Sequence, residues 1–524
     1  MAKYDSIIIG SGINSLVAAA MLSKSGRKVL VLESRNEIGG LASTIEFVPG
    51  FKCNMVYDTV KWIDPRVLSE LKIESQGFNI IHSDVKRIAL GKENQHIVFH
   101  NSLQKTADSI SKLSENDAAN WKDFTSYIKK LTQFLEYLYK LTPPELPEIG
   151  FSGALSMRSL LKPFMKHGTR GIVDLIRTAP MMMPEFMDEW FENELLRSVL
   201  STAAIHNLSF GPYASATGYN FLHQHLHCNG IIHHSNFVEG GTQNYANALK
   251  NILKANHSET RTNSKVVSID INNNFCEGVC LENGESIKAN SVISGLDPQN
   301  TFIKLIGISN LDPNFFTQLR NIKYRGSTAR IHFALNELPQ ISGISDEHMK
   351  TMFSICPSME YLEKASDAVK YGHLSNDPYV EFCIPSLLNS DFSPEGKHVL
   401  STSVQYAPYH LRDKKWDTDT KENLKKKTSI ILEKIIPGFS KLVESYTVYS
   451  PKDLENEYDL TEGNLNHGEM TLDQLLFMRP TISSAQYKTP FKNLYLCGPG
   501  THPGGGLHGT NGFNAAKTII KDKI

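Results

Sequence analysis

A chain of 524 residues is longer than one hydrophobic core usually serves, so two domains are expected. Its composition, 40% hydrophobic and 21% charged, is that of a folded globular protein and excludes a disordered or fibrous one. Lys plus Arg number 54 against 55 Asp plus Glu, so no overall field recruits nucleic acid and no nucleic-acid partner is expected.

The first residues, MAKYDSIIIGSG, run straight into a strand without the basic region and apolar core of a signal peptide. No stretch reaches the roughly 18 uncharged apolar residues of a membrane span. Seven scattered cysteines suit reduced thiols better than a disulfide framework, and a cytoplasmic location is expected.

Residues 4–9 (YDSIII) have the length and β-branching of a buried strand, 13–25 the apolar spacing of a helix, and 28–32 (KVLVL) those of a second strand. Gly10-Ser11-Gly12-Ile13-Asn14-Ser15 joins the first strand to the helix. Gly10 permits the tight turn, and Gly12 lets a pyrophosphate approach the free N–H groups at the helix N-terminus. Ser15 stands where the dinucleotide fingerprint has its third glycine. Glu33 ends the second strand, where a carboxylate would accept the ribose hydroxyls. A second glycine pair, Gly39-Gly40, follows within seven residues.

From Trp121 the apolar positions 121, 124, 128, 131, 135 and 138 describe an amphipathic helix, which the prolines of TPPELPEIG end. Residues 151–200 are helical in texture. There Arg158, Lys162, Lys166 and Arg170 recur beside Leu160, Leu161, Phe164, Met165 and Ile172. Such a stripe suits either a solvated helix face or peripheral membrane contact. His223, His225 and His227, with His233 and His234, would place three imidazoles on one face of a strand and could ligate zinc or iron. Only Cys228 is near to complete the set, so no metal is expected; pocket lining and plain packing remain as readings.

TNSKVVSIDI and GVCLENGESIKANSVISG read as strands around an Asn-Gly turn at 283–284. STARIHFAL, YVEFCIPSLL and KHVLSTSVQY suit a second, mixed or antiparallel sheet. Residues 421–436 read as a Lys-rich helix stopped by Pro437-Gly438. NLYLCGPGTHPGGGLHGTNGFNAAKTII is strand, glycine loop and helix. Gly498, Gly500, Gly504, Gly505, Gly506, Gly509 and Gly512 would let backbone N–H groups crowd one ligand. His502, inside this loop, is the candidate for proton handling.

The ending LYLCGPGTHPGGGLHGTNGFNAA, together with the glycine pair after Glu33 and the stretches 237–249, 383–411 and 470–480, resembles the phytoene-desaturase-type flavoproteins of the amine-oxidase superfamily. Within them it is most similar to the subgroup of pyridine nucleotide-disulfide oxidoreductase domain-containing proteins. The resemblance implies an α/β architecture: a Rossmann-like FAD-binding domain of the glutathione-reductase type, with a discontinuous mixed-sheet and helical substrate domain. The FAD-binding domain would be assembled from residues 1–70, 231–300 and 471–524. A helical substrate or lid region would fill 71–230, and the substrate-domain sheet 301–470.

It also implies FAD as cofactor. Gly10, Gly12, Ile13, Asn14, Glu33, Ser34, Arg35, Gly39, Gly40, Leu41 and Ala42 would hold its ADP half and Val266 its adenine. Gly498, Gly500, Gly506, Gly509 and Thr510 would hold the flavin side. Tyr57, His223, Gly240, Gly241 and His508 would line the substrate pocket. The implied reaction is desaturation, saturation or isomerisation of an apolar, polyene- or isoprenoid-like substrate, with oxygen or a quinone as electron acceptor. An amine oxidase and a prenyl or lipid carrier on the same fold are the alternatives. A disulfide reductase needs two cysteines beside the flavin, and Cys276-x3-Cys280 lies in a hairpin far from the glycine motifs. No second G-x-G-x-x-G appears mid-chain for NADPH.

Overall fold

The computed structural model describes residues 4–143 and 161–522, with the side chains of 161–167 left aside. Two seven-stranded sheets organise it. In the first, strands Tyr4–Ile9 and Val29–Leu32 lie parallel and flank the helix Ile13–Lys24. Ile8, Val29 and Val31 pack on one face with Leu16, Val17 and Ala20 of that helix, whereas Ile7, Ile9, Leu30 and Leu32 pack on the other with Val279 and Phe302. Burial on both faces is why these strands carry no polar alternation.

The same sheet gathers distant segments. Glu259–Arg261 pairs with Val29–Leu32, and Ser286–Ser294 pairs with Tyr4–Ile9, both parallel. Ser286–Ser294 begins as the third strand of an antiparallel meander with Val266–Asn272 and Phe275–Leu281, turning at Gly284 with φ 86°. Its last residues, Val292 to Ser294, pair in parallel with Leu494–Leu496. The helix that follows, Thr510–Lys521, lies against Ile13–Lys24 so closely that a Cβ on Gly512 would come within 1.9 Å of the Asn14 carbonyl oxygen.

The second sheet is mixed. Its strand order is Val443–Tyr449, Thr328–Leu335, His398–Gln405, Tyr379–Cys383, Met352–Ile355, Val85–Leu90 and His96–His100. Only Met352–Ile355 and Val85–Leu90 run parallel. A helical layer covers it, centred on Glu115–Tyr139, whose Trp121, Phe124, Ile128, Leu131 and Leu135 are buried as the spacing requires. The Lys-rich helix spans Thr418–Glu433.

Of the basic stripe, Arg158 and Leu160 lie outside the described residues. The helix Leu161–Thr178 breaks at Gly168 (φ 65°), and Arg170, Val173 and Ile176 are exposed beyond it. Among the described residues no helix is long and apolar enough to cross a membrane.

Candidate active site

Three connected hollows lie between the sheets. The first is a cleft at the C-terminal ends of Tyr4–Ile9 and Val29–Leu32. Gly10, Gly12, Ile13, Asn14, Glu33, Ser34, Arg35, Gly39, Gly40, Leu41, Val266 and Gly506 all line it, as do Ser264, Tyr458 and His467, which the sequence did not single out.

Its local structure follows from a few contacts. Glu33 is buried and accepts from the Ser11 amide at 3.0 Å, the Ser11 hydroxyl, the Arg35 amide at 3.0 Å and the Ser34 hydroxyl at 3.3 Å. The Gly39 amide donates to the Ser11 carbonyl at 3.0 Å. The carboxylate therefore holds Ser11, and Ser11 in turn fastens the first glycine turn to the second. Gly40 comes so near Gly12 that a Cβ there would lie 3.1 Å from the Gly12 Cα. Ser15 replaces the third glycine because the strand across from it has made room. A Cβ on Gly295 would fall 1.8 Å from the Ser15 hydroxyl, so the missing glycine has moved to the partner strand.

The cleft fits a dinucleotide. A side chain on Gly12 would meet no protein atom within 4 Å. The helix Ile13–Lys24 has no side-chain cap and no acid in its first turn, leaving its N–H groups to an anion. The Asn14 Oδ1 and His467 Nδ1 are buried without partners. Replacing Glu33 by Gln is expected to weaken FAD retention by about 1.5–3 kcal/mol, because a charged acceptor is lost. Equilibrium dialysis measures it, and retention equal to the parent's would remove Glu33 from the ribose.

The C-terminal loop departs from expectation. Gly506 (φ 125°) lines the cleft, but Gly498, Gly500, Gly509 and Thr510 do not. Those glycines answer to protein neighbours: a Cβ would lie 2.5 Å from the Gly295 carbonyl oxygen at 498, 2.9 Å from Pro298 at 500 and 3.1 Å from Val17 at 509. Ala42 is likewise buried behind the cleft. Gly240 and Gly241 form the turn before the helix Gln243–Ala255. At 241 a Cβ would press on Thr44 and Asn54, so these two glycines are set by packing and lie outside the hollows beside the cleft.

The second, smaller hollow shares Tyr57, Gly506 and Leu507 with the cleft. His223 and His508 are in its wall. The strand expected for the histidine cluster is instead the helix Thr217–Gln224 followed by turns, which disperses the imidazoles. His223 donates from Nε2 to the Gly505 carbonyl at 2.9 Å and meets the Tyr139 hydroxyl at 2.7 Å through Nδ1. His508 stacks on Trp62 with ring centroids 4.2 Å apart, and its Nδ1 accepts from the Thr510 amide. Burial pushes His223 down to about 4 and His508 down to about 3, so both are neutral posts beneath the glycine loop. Among the described residues no group of three or more potential ligands could hold a metal.

His502 lines neither hollow. Its Nε2 lies 3.2 Å from the Leu138 carbonyl oxygen, its ring packs on Tyr139, and burial pushes it down to about 4. That position supports the loop, with Nδ1 buried and without a partner. The cysteines are free, and Cys276 is buried in the meander away from the cleft.

Charged groups missed in the sequence dominate the chamber. Asp58, Lys61, Arg330 and Glu381 line it together with His206. Arg330 donates to Asp58 and, at 2.7 Å, to Ser401. Glu381 accepts from Arg87 and, at 2.6 Å, from the Tyr379 hydroxyl. The signal was there: Arg87, Arg330 and Glu381 each place a charge inside a fully buried strand.

A parallel sheet with a glycine turn, a carboxylate at the second strand and a distant glycine loop closing the same cleft define a flavin-dependent oxidoreductase. Residues 16–520 match the flavin containing amine oxidoreductases, and the chain belongs to that family. It is 30% identical to the Rattus norvegicus pyridine nucleotide-disulfide oxidoreductase domain-containing protein 2, over 99% of this chain and 94% of that one. It is 25% identical to one of the subunits of limonene dehydrogenase from Castellaniella defragrans, over 99% and 95% respectively. An oxidoreductase structure from Methanosarcina mazei superposes with a TM-score of 0.60 at 16% identity, covering 98% of this chain and 99% of that one. The cofactor is FAD.

Proposed function

We propose that this protein moves a hydride between FAD and a small substrate held in the chamber behind Tyr57, and that the reacting part of the substrate is polar. The observation that carries this reading is the lining of that chamber, where four formally charged side chains and His206 surround a space continuous with the cofactor cleft. A polyene or isoprenoid substrate would desolvate two buried ion pairs and leave Lys61, which has no ion-pair partner among the described residues, against hydrocarbon. The hydrocarbon reading draws its support from the relative named limonene dehydrogenase.

In this reading Glu33 holds the ribose hydroxyls, the N–H groups after Gly12 hold the pyrophosphate, and Val266 and Ser264 flank the adenine end. Bound FAD supplies the hydride acceptor. Tyr57 separates cofactor from substrate, Trp62 stacked on His508 forms an apolar wall, and the neutral His223 and His508 anchor the loop. Water is excluded by the same loop. Oxygen or a quinone is the proposed electron acceptor.

The anaerobic, FAD-loaded protein is expected to bleach with polar substrates from a screen of small acids, amines and alcohols, and to stay oxidised with polyenes. Bleaching by polyenes alone would overturn the reading. Excess NADH or NADPH is expected to leave the oxidised band unchanged over minutes. The glycine-turn unit at residues 4–32 lines the FAD cleft, and the second sheet's only parallel pair comes from strands too far apart in sequence to form another. Rapid, saturable bleaching by either nucleotide would reveal a nicotinamide site.

A further inference from the structure

The chamber continues inward to a small recess with room for about one water, and Lys61, His206, Gln224 and Glu381 are common to the two walls. Arg87 and His233 close the inner end. The charges there do not balance. Asp58 is committed to Arg330, and Glu381 to Arg87 and Tyr379. Three cations, Lys61, Arg87 and Arg330, therefore face two carboxylates, an excess of one positive charge when Lys61 is protonated.

Lys61 is the cation left over. Its Nζ donates to the Ser235 hydroxyl at 3.2 Å, and among the described residues no carboxylate lies within ion-pair distance of it. Two further buried nitrogens at the inner end lack partners, the Nε of Arg87, which is a donor, and the Nε2 of His233, on side chains that are 1% and 3% exposed. His225 is already spent, its Nδ1 on the Phe221 carbonyl at 2.7 Å and its Nε2 on the His233 amide at 3.0 Å. A buried cation beside an unused guanidinium N–H, with no carboxylate in ion-pair contact, is an anion site in which the protein supplies only the positive half.

We propose that the inner recess binds a carboxylate of the substrate, with Lys61 as its counter-ion. This rests on the reading that the reaction occurs in the adjoining chamber, and it narrows the substrate class to small organic acids whose oxidisable carbon lies between the recess and Tyr57. Burial, aided by Arg87 and opposed by Glu381, pushes Lys61 down to about 7, so without an anion its charge is only marginally held. An arriving carboxylate restores it. The arrangement also selects against amines, whose cation would meet Lys61 and Arg87.

The test uses the FAD-loaded protein and matched neutral probes. Benzoate and hexanoate are titrated against benzamide and hexanamide, with perturbation of the bound-flavin spectrum and the thermal midpoint as readouts. Each acid is expected to bind saturably and at least tenfold more tightly than its amide. Lys61→Met is expected to erase that preference while retaining FAD, and Lys61→Arg to keep it. Equal response to acid and amide, or no response to either acid, overturns the proposal; the parent comparison decides this even if Lys61→Met does not fold. Failure of the wider reading looks different, since no polar compound, charged or neutral, would then bleach the flavin.

Discussion

Gly12→Val is expected to yield a folded, colourless protein. Most glycines around the cofactor cleft are there because protein atoms crowd them, but Gly12 is different. Its φ of −61° and ψ of 163° suit any residue, and a Cβ there would meet nothing within 4 Å. The fold should therefore lose only about 0.5 kcal/mol, as for an ordinary surface change. The new side chain would instead occupy the space before the helix N-terminus, where the pyrophosphate must lie. FAD content should fall from one per chain to a small fraction, with the far-ultraviolet circular dichroism unchanged. Gly512→Ala is the control with the opposite outcome. Its methyl would collide with the Asn14 carbonyl and force two packed helices apart, a fault of about 1–3 kcal/mol in stability. If Gly12→Val keeps stoichiometric FAD, the pyrophosphate does not approach that turn.

Glu381→Gln should destabilise the protein by about 3–5 kcal/mol, because it strands the buried Arg87 guanidinium beside a neutral amide. The acid limb of the stability profile should change as well. Burial alone would raise the Glu381 carboxyl, but Arg87, His206 and Lys61 together hold it well below the usual carboxylate range. A depressed folded value means that its contribution is present above the unfolded value of about 4.3 and drains away as pH falls below it. The parent should therefore lose stability between about pH 4.5 and 3 more steeply than the variant. Denaturant titrations across that range measure both effects. A loss under about 1 kcal/mol would mean that Arg87 finds another acceptor when Glu381 is neutral.

The cofactor half of the molecule was legible because its signals are local. The strand, turn and helix at 4–24, the carboxylate at 33 and the glycine pair at 39–40 each act through neighbours in sequence, and each lines the cleft. Glycine richness at the C-terminus was ambiguous, since a glycine that admits a ligand and one that admits a neighbouring backbone look alike. Gly506 lines the cleft, whereas Gly498 is pressed against the Gly295 carbonyl. The histidine cluster was misread for want of a period: a two-residue spacing fits a strand, but Thr217–Gln224 is helical and buried on all sides. The substrate side was least legible. Lys61, Arg87, Arg330 and Glu381 come from well-separated segments; the second sheet's register sets Arg87 opposite Met352 and Glu381 opposite Ser354, and the long Arg87 side chain reaches Ser354 and Glu381. The trace that three of them leave in the sequence is a charge inside a buried strand.

The pairing of Leu494–Leu496 with Val292 to Ser294 carries a consequence for how the protein is made. The central sheet recruits strands as far apart in sequence as Tyr4–Ile9 and Leu494–Leu496, so synthesis must pass Leu496 before that sheet can close. Until then the cleft at Gly10 lacks Pro499, Gly506 and Leu507. Closure of the cleft therefore waits for that strand. Cells short of riboflavin should accumulate a chain whose second sheet is formed and whose first is open, a form prone to aggregation and proteolysis. Yield on expression would then follow flavin supply more closely than it follows messenger abundance.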